Sequence, residues 1–263
     1  MKVYKAYAKV NIFLKITGTR DGYHEIISRF MRVDSLYDEL SFVPKDSFGG
    51  KSENFCILGD FTCEVQDNTI YKAYFALKKA TNSEQLEKLM RTYGVKVEKS
   101  IPAFAGLGGG SSDAATYLKM CNEVLHLGLS TNELALIGLE VGADVPFFIY
   151  GYASANVSGI GEVVEEFKEE SLDFELYTPD IKISTPKVYQ VYREDFYNPI
   201  DGFERDSLKR TDSKTILQQM DVHEANDLFA PALQEYKDLK QYFKPGFHFS
   251  GSGSSFFKPK GIQ

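Results

Sequence analysis

The sequence has no tryptophan and only three cysteines among its 263 residues. Cys56, Cys63 and Cys121 have neither metal-site spacing nor the even number of a disulfide framework, so we expect small core residues in a reducing compartment. No stretch approaches the ~20 apolar residues of a membrane span, and Met1–Ala6 lacks the apolar run of a signal peptide. These absences predict a cytoplasmic protein without a membrane partner.

Positive charge is also scarce. Lysine and arginine number 30 against 37 aspartates and glutamates, which gives a net charge of −7 at pH 7. Such a surface would repel an anionic polymer, so we expect no nucleic-acid partner. An anionic small molecule would have to be held by local groups. The hydrophobic content of 43% is sufficient for a full core, and the length favours two modest domains over one large one.

The clearest chemical signal is a glycine-rich segment that runs into a predicted helix. Gly106, Gly108, Gly109 and Gly110 allow positive φ angles and let a bulky anion approach the main chain. Behind them, Ser111–Asp113 is typical of a helix start, and apolar residues then recur at helical spacing. Exposed N–H groups and the positive end of a helix dipole would both face an anion. The segment predicts a phosphate-binding loop, and the alternative is a flexible linker.

Two well-known phosphate loops are excluded by the residues that follow Gly106. In the GxxxxGK[ST] pattern, glycine and lysine would stand where this chain has Ser111 and Ser112. In the dinucleotide pattern GxGxxG, the last glycine is replaced by Ser111. The segment therefore indicates another class of nucleotide-binding loop.

The periodicity of the remaining chain predicts a mixture of strands and helices. Strands are expected over Val3–Thr17, His24–Val33, Glu39–Val43, Phe55–Leu58, Val95–Glu98, Ala153–Val157 and Gly161–Phe167, from Phe174, near Ile181 and on both sides of Ser250–Ser255, with a loop at Ser47–Ser52. Helices are expected after Asn68 or Thr69, from Leu86 to a stop at Gly94, and after the capping box Ser130–Glu133. A change of pattern near Lys168–Ser171 predicts two domains, 1–167 and 168–263.

Three separated blocks resemble the GHMP kinase superfamily: Ala8–Asn11, Pro102–Ala115 and Ser250–Ser255. Within it, four segments are similar to the kinases that act on 4-diphosphocytidyl-2-C-methyl-D-erythritol: Ala8–Leu14, Asp21–His24, Gly106–Ser112 and Gly142–Pro146. The resemblance implies an α+β, two-domain GHMP kinase fold. Its N-terminal domain would resemble ribosomal protein S5 domain 2, and its C-terminal domain would be ferredoxin-like.

The resemblance also implies the reaction, which is transfer of the ATP γ-phosphate to the 2-hydroxyl of the cytidyl substrate in the non-mevalonate route to isoprenoids. The catalytic pair falls on Lys9 and Asp144. A carboxylate that accepts the hydroxyl proton, with a lysine to stabilise charge, suits phosphoryl transfer. From the residues alone, Asp144 is more simply a turn residue before Pro146, and Lys9 a solvent-facing strand lysine.

Binding residues follow from the same resemblance. The ATP-binding residues would be Asn68, Pro102, Ala103, Phe104, Ala105, Gly106, Leu107, Gly108, Gly109, Gly110, Ser111 and Ser112. The substrate-binding residues would be Asn11, Tyr23, His24, Thr185, Tyr189, Gly251, Ser252 and Gly253. His24 would hydrogen-bond the cytosine, between stacking faces from Tyr23 and Tyr189. The plainer interpretations are a helix cap for Asn68, a hairpin histidine for His24, a half-buried tyrosine for Tyr189 and a tight turn for Gly251–Gly253.

Two departures from the family pattern stand out. Ala103-Phe104, with its bulky ring, stands where many relatives have Met-Gly, and the second domain is expected to be shorter than in many relatives. Mg²⁺ is expected to arrive with ATP, without an assigned protein ligand. We expect a monomer or weak homodimer. The alternatives are another small-molecule kinase of the superfamily, or a non-catalytic binding module.

Overall fold

The computed structural model describes residues 2–48 and 55–261, so positions 49–52 of the predicted loop lie outside it. The strands are β1 (Tyr4–Arg20), β2 (Tyr23–Pro44), β3 (Ile57–Leu58), β4 (Tyr93–Glu98), β5 (Ser154–Gly159), β6 (Val163–Glu166), β7 (Phe174–Tyr177), β8 (His248–Phe249) and β9 (Phe256–Pro259). The helices are α1 (Thr69–Thr81), α2 (Glu84–Thr92), α3 (Gly109–Val124), α4 (Thr131–Leu139), α5 (Val145–Tyr150), α6 (Thr185–Val191), α7 (Gly202–Arg210), α8 (Ser213–Gln219), α9 (Val222–Ala225) and α10 (Phe229–Glu235). A π-helical turn, Tyr192–Phe196, continues α6.

The residues form two compact units, each built from separate stretches of the chain. The first contains Met1–Ala8, Leu36–Ile101 and Gly109–Gly151, and the second contains Lys9–Ser35, Pro102–Gly108 and Tyr152–Gln263. Strands β1 and β2 and the glycine-rich segment therefore contribute residues to both units. The division into domains 1–167 and 168–263 stays a prediction.

In the first unit, helices pack beside a short sheet. Strand β4 pairs antiparallel with the end of β2 and parallel with β3. Helix α1 packs on α3, and α5 packs on both α3 and α4. Gly138 on α4 makes the close packing of α4 on α5 possible, because a Cβ there would lie 2.7 Å from Val145 Cγ1. The start of α5, and with it Asp144, is thereby fixed against α4.

Local capping signals account for the starts of α1 and α4 in this unit. The Asn68 side chain accepts a hydrogen bond from Ile70 N at 2.9 Å, and Ser130 with Glu133 forms the predicted capping box. Helix α2 ends at Thr92, two residues before the predicted stop at Gly94. Tyr93 and Gly94 already pair with Pro44 and Val43 of β2 as the start of β4.

The second unit combines a hairpin, a small sheet and several helices. Strand β1 turns at Asp21–Gly22 into β2, which pairs with β5, and β5 pairs with β6. Strands β7, β9 and β8 form a separate antiparallel sheet. The hydrophobic core of the second unit includes Leu14, Ile26, Ile183, Val188, Tyr192, Leu228, Phe229, Phe249 and Phe256.

Two strand predictions are corrected in the structure. The segments His24–Val33 and Glu39–Val43 belong to one continuous strand, β2. No strand forms near Ile181, because its N–H turns back to the carbonyl of Pro179 at 2.8 Å and the chain then enters α6. Ile183, two residues later, supplies the buried contact that the apolar pattern indicated.

The structure bears on two earlier expectations, that the three cysteines are core residues and that no segment spans a membrane. Cys121 is buried and Cys56 is half-buried, but Cys63 is exposed, so the core prediction is wrong for Cys63. Within residues 2–48 and 55–261, no helix has the length and apolar character needed to cross a membrane.

Candidate active site

The first part of the glycine-rich segment, Pro102–Gly108, is held firmly in the second unit. Gly106 and Gly108 have φ of 73° and 72°, and Phe104 also has a positive φ of 56°. Ser250 Oγ donates to Gly106 O at 3.0 Å, and Ser255 N donates to Ala105 O at the same distance. A Cβ on Gly106 would lie 2.1 Å from Ser250 O, so this position requires glycine. These contacts argue against a flexible linker.

The second part of the segment opens α3 in the first unit. The helix begins at Gly109, two residues before the predicted start, so Ser111 and Ser112 lie inside its first turn. Gly109 approaches Ile101 closely, because a Cβ there would lie 2.9 Å from Ile101 Cγ2. Thr69 Oγ1 donates to Gly110 O at 2.6 Å. The N–H groups of a 16-residue helix therefore begin within the glycines.

A buried ion-pair network, which the sequence did not reveal, fixes the approach to this helix. Lys99 Nζ lies 2.5 Å from Asp38 Oδ2 and 2.7 Å from Asp113 Oδ2. Asp38 Oδ1 also accepts from the backbone N–H groups of Ser100 and Ile101 at 2.6 and 2.8 Å. Because Asp113 lies in the first turn of α3, the network joins strand β2, the segment Lys99–Ile101 and helix α3.

Asp113 has the least complete hydrogen bonding of the three charged residues in this network. Its Oδ1 is buried without a hydrogen-bond partner among the described residues. Burial raises the pKa of Asp113 to about 7, although the neighbouring Lys99 ammonium acts in the opposite direction. The only sequence signal for this carboxylate was its place at a predicted helix start, which gave no hint of a buried partner.

Lys9 is buried in the second unit, contrary to the solvent-facing alternative. It is 3% exposed, and its Nζ donates to Asn11 Oδ1 at 2.6 Å. Its ammonium also lies 4.5 Å from the centroid of the Phe30 ring. Asn11 Nδ2 in turn donates to Ser28 Oγ at 2.9 Å, so the amide orients Lys9 and is itself held in place.

Asp144 lies in the first unit, immediately before α5, and is half-buried. Its side chain makes no capping hydrogen bond to that helix, whereas Pro146 occupies the first turn. The simple turn-capping role therefore does not account for the carboxylate. Lys119 Nζ donates to Phe148 O at 2.9 Å and holds α5 against α3.

His24 lies in a cluster of tyrosines in the second unit. Its ring stacks on Tyr189 with centroids 5.1 Å apart, meets Tyr192 edge-on at 5.5 Å and lies 6.5 Å from Tyr197. Its Nε2 is buried without a hydrogen-bond partner among the described residues. Burial, reinforced by the positive charge of Arg193, lowers the pKa of His24, so the ring is neutral at pH 7. Such a nitrogen is an orphaned polar group that a ligand could satisfy.

Tyr23, Thr185 and Gly251–Gly253, which are also predicted substrate residues, lie in the same unit. Tyr23 is 66% exposed at the hairpin turn. Thr185 Oγ1 and Ser252 Oγ are 2.7 Å apart, which joins the start of α6 to the closing loop Gly251–Gly253. The second unit thus brings together three pairs of predicted residues: Lys9 with Asn11, His24 with Tyr189, and Thr185 with Ser252. Asn68, Gly109–Ser112 and Asp144 belong to the first unit.

Over the ranges 2–48 and 55–261, no group of three or more histidine, cysteine, aspartate or glutamate side chains is arranged to hold a metal ion.

Comparisons with known proteins give a consistent result. The model of the GHMP kinases N terminal domain matches residues 68–152. A relative from Sulfurimonas denitrificans named 4-diphosphocytidyl-2-C-methyl-D-erythritol kinase is 69% identical, with 99% of this chain and 97% of the relative covered. One of the same name from Campylobacter jejuni serotype O:6 is 42% identical, with 97% and 98% covered.

Solved structures agree with this result. A crystal structure of 4-(cytidine 5'-diphospho)-2C-methyl-D-erythritol kinase is similar with a TM-score of 0.68 and 27% identity, covering 97% of this chain and 89% of the other. The mevalonate kinase of Methanococcus jannaschii, at 14% identity and a TM-score of 0.58 over 98% and 90%, shares the fold. The α+β GHMP kinase fold is confirmed, and the chain belongs to the family of 4-diphosphocytidyl-2-C-methyl-D-erythritol kinases.

Proposed function

We propose that this protein transfers the γ-phosphoryl group of ATP to the 2-hydroxyl of 4-diphosphocytidyl-2-C-methyl-D-erythritol, a step in isoprenoid precursor synthesis. The names of its relatives support this reaction. The observation that carries it is the His24 imidazole, buried among three tyrosines with an unsatisfied Nε2. An aromatic cluster with one orphaned polar nitrogen suits a flat, polar nucleobase. A small acceptor such as mevalonate would need neither feature.

The cytosine would be recognised by His24 and stacked on aromatic rings. A neutral imidazole offers one donor and one acceptor, so Nε2 can satisfy a polar edge of the base. Tyr189 stacks on His24, and Tyr23 is exposed at the adjoining turn. Each stacking contact with a base contributes about 1–3 kcal/mol. This arrangement supports the stacking roles that the resemblance implies for Tyr23 and Tyr189.

ATP would be bound through the glycine-rich segment. The fixed main chain of Ala105–Gly108 and the first N–H groups of α3 offer donors to phosphate oxygens, and the hydroxyls of Ser111 and Ser112 add two more. The side-chain oxygen of Asn68 already caps α1. Its side-chain N–H groups would therefore be the ones that contact the adenine. Mg²⁺ would accompany the nucleotide and neutralise phosphate charge, held by ATP rather than by a protein cluster.

The chemical step would rest on Asp144 and Lys9. The Asp144 carboxylate would accept the proton of the attacking hydroxyl as the new bond to the γ-phosphorus forms and the bond from that phosphorus to the bridging oxygen breaks, with ADP as the leaving group. The Lys9 ammonium, oriented by Asn11, would stabilise the negative charge that develops on the attacking oxygen. Because Lys9 is buried, that charge interaction is screened less than it would be at a surface.

Finer features of the family extend this proposal. The N-terminal domain, 1–167, would be of the ribosomal protein S5 domain 2 type, and the C-terminal domain, 168–263, would be ferredoxin-like. The three-stranded sheet β7–β9–β8 with its helices supports the second assignment. The enzyme would act in the cytoplasm as a monomer or weak homodimer.

The proposal is tested by measuring ATP consumption with Mg²⁺ and four acceptors at matched concentrations. We expect turnover with the cytidyl substrate and none with mevalonate, homoserine or galactose. Turnover with another acceptor would overturn the substrate assignment while leaving ATP as the phosphoryl donor. Absence of turnover with all four would indicate a binding module.

Asp144→Asn tests the base directly. We expect turnover to fall by about 10²- to 10⁴-fold, because the amide cannot accept the hydroxyl proton. Nucleotide binding, measured by calorimetry, should stay within about twofold, since the neutral amide has nearly the same size as the carboxylate and the carboxylate is assigned to the acceptor hydroxyl, not to the nucleotide. Asp60→Asn, at an exposed aspartate of the same unit, is the matched control. Equal turnover in the two variants would remove Asp144 from the mechanism.

A further inference from the structure

A cavity of about 340 Å³ lies within the second unit, between the glycine-rich segment and the start of α6. Its lining includes Phe104, Gly106, Lys182, Ser184, Thr185 and Gly253. Main-chain groups and two hydroxyl side chains provide its polar surface. Of the described lining residues, Lys182 alone carries a charge, and the lining contains no carboxylate to oppose an anion.

Lys182 differs from the lysine five residues later. It is exposed, and within the described part of the chain it forms no ion pair or hydrogen bond. Lys187, which does not line the cavity, lies 3.1 Å from Glu235 and is neutralised by it. On a chain with a net charge of −7, an unpaired cation facing a cavity is the local group that an anionic ligand requires.

The cavity lies one helical turn from the His24 cluster. Thr185, which lines the cavity, and Tyr189, which stacks on His24, are four residues apart on α6 and share one face. One turn rises about 5.4 Å. A nucleoside diphosphate carries its base at one end and its diphosphate at the other, so a single ligand could occupy both places.

The volume and the polar groups of the walls fit the anionic end of such a ligand, while Phe104, Ile183 and Pro186 add apolar surface. Complete small-molecule pockets measure about 300–1,000 Å³, so this cavity suits a diphosphate with part of a sugar better than a whole nucleotide. The walls are also well fixed, because Ser250 Oγ holds Gly106 O and Ser252 Oγ holds Thr185 Oγ1. Because these loops are already ordered, binding a ligand here would cost little further conformational entropy.

We propose that Lys182 is the cation that binds a diphosphate group in this cavity, as a substrate-positioning residue beside the residues already assigned. The inference rests on the proposed function for the identity of the ligand, which is the cytidyl diphosphate acceptor. Its ammonium, a compact point charge on a flexible stem, would contact the non-bridging phosphate oxygens without taking part in proton transfer.

Steady-state kinetics of Lys182→Ala, Lys182→Arg and Lys187→Ala test the role at constant ionic strength. In Lys182→Ala, KM for the cytidyl acceptor should rise about tenfold with kcat within about twofold, since one charge-assisted contact is lost. Lys182→Arg should restore most of the loss, and Lys187→Ala should resemble the wild type. A rise confined to KM for ATP would keep Lys182 as the cation but assign the phosphate to ATP. Unchanged KM values would overturn the proposal.

Calorimetry with CDP and cytidine separates this inference from the proposed function. Wild-type protein should bind CDP more tightly than cytidine, and Lys182→Ala should lose that difference while keeping its affinity for cytidine. If the wild type is inactive with every acceptor but the CDP preference depends on Lys182, the proposed function fails and the inference stands. If the wild type turns over and Lys182→Ala keeps the CDP preference, the inference fails alone.

Discussion

The two parts of the glycine-rich segment are held by different chemistry. In the second unit, Ala105 and Gly106 are fixed by neutral hydrogen bonds to Ser255 and Ser250 and by close backbone packing. In the first unit, the residues before α3 and the helix itself are fixed by a buried lysine between two aspartates.

The difference predicts different sensitivities. Neutral hydrogen bonds do not change with pH, whereas a buried network with a carboxyl of raised pKa does. Removing one partner of a buried ion pair leaves an uncompensated charge, whereas removing one hydroxyl leaves only a neutral unpaired group, whose burial costs less. The helix side of the segment is therefore expected to be the more fragile, and the four predictions below test that contrast.

The largest effect is expected from Lys99→Met. The change leaves Asp38 and Asp113 facing each other without a cation, and breaking a buried pair costs about 3–5 kcal/mol. Because the Lys99 side chain is 17% exposed, the lower end of that range applies. Urea unfolding measures the loss. Lys96→Met, which breaks an exposed pair with Glu98, is the control and should cost under about 1 kcal/mol. Equal losses would contradict a special role for the buried pair.

Gly106→Ala should give the next largest effect, on the other side of the comparison. The new Cβ meets Ser250 O at 2.1 Å, and φ is 73°. Backbone strain and the clash together should lower the free energy of unfolding by about 2–4 kcal/mol. Gly128→Ala has the same strain, at φ of 71°, but open space around the Cβ, and should cost about 1–2 kcal/mol. The difference between the variants measures the close packing against the closing loop.

Asp113 should make stability depend on pH. Its pKa is raised from 3.8 to about 7, so between these values the folded chain binds more protons than the unfolded one. The free energy of unfolding contributed by this group is therefore fully present below pH 3.8 and declines as pH rises to about 7. Asp113→Asn should remove this decline, seen as a smaller difference in urea midpoints between pH 5 and pH 7. An unchanged pH dependence would show that Asp113 stays charged throughout.

Much of this arrangement follows from local sequence signals. Asn68 and the Ser130–Glu133 capping box predicted helix starts, and the glycines with the following serines predicted an ordered loop running into a helix. These features depend on neighbours a few residues apart, where side-chain chemistry and backbone geometry are directly coupled.

The rest depends on partners far away in the chain. Asp38 lies 61 residues from Lys99, and nothing in a strand pattern indicates a carboxylate pointing into the interior. The burial of Lys9 could not be inferred either, because its strand periodicity is the same as that of exposed Lys5. Likewise, the turn at Pro179–Ile181 replaces a strand because of a backbone bond that an apolar pattern does not encode.

Ser250→Ala should have the smallest effect and completes the comparison. The hydroxyl donates to Gly106 O at 3.0 Å and accepts from Asn11 N at 3.3 Å, so the change removes two neutral hydrogen bonds. We expect a loss of about 1–2 kcal/mol, since each contributes about 0.5–1.5 kcal/mol net. The loss should be equal at pH 5 and pH 7, because no titrating group takes part. A loss that changed with pH would show that charge also acts on the neutral side of the segment, and the contrast between its two parts would fail.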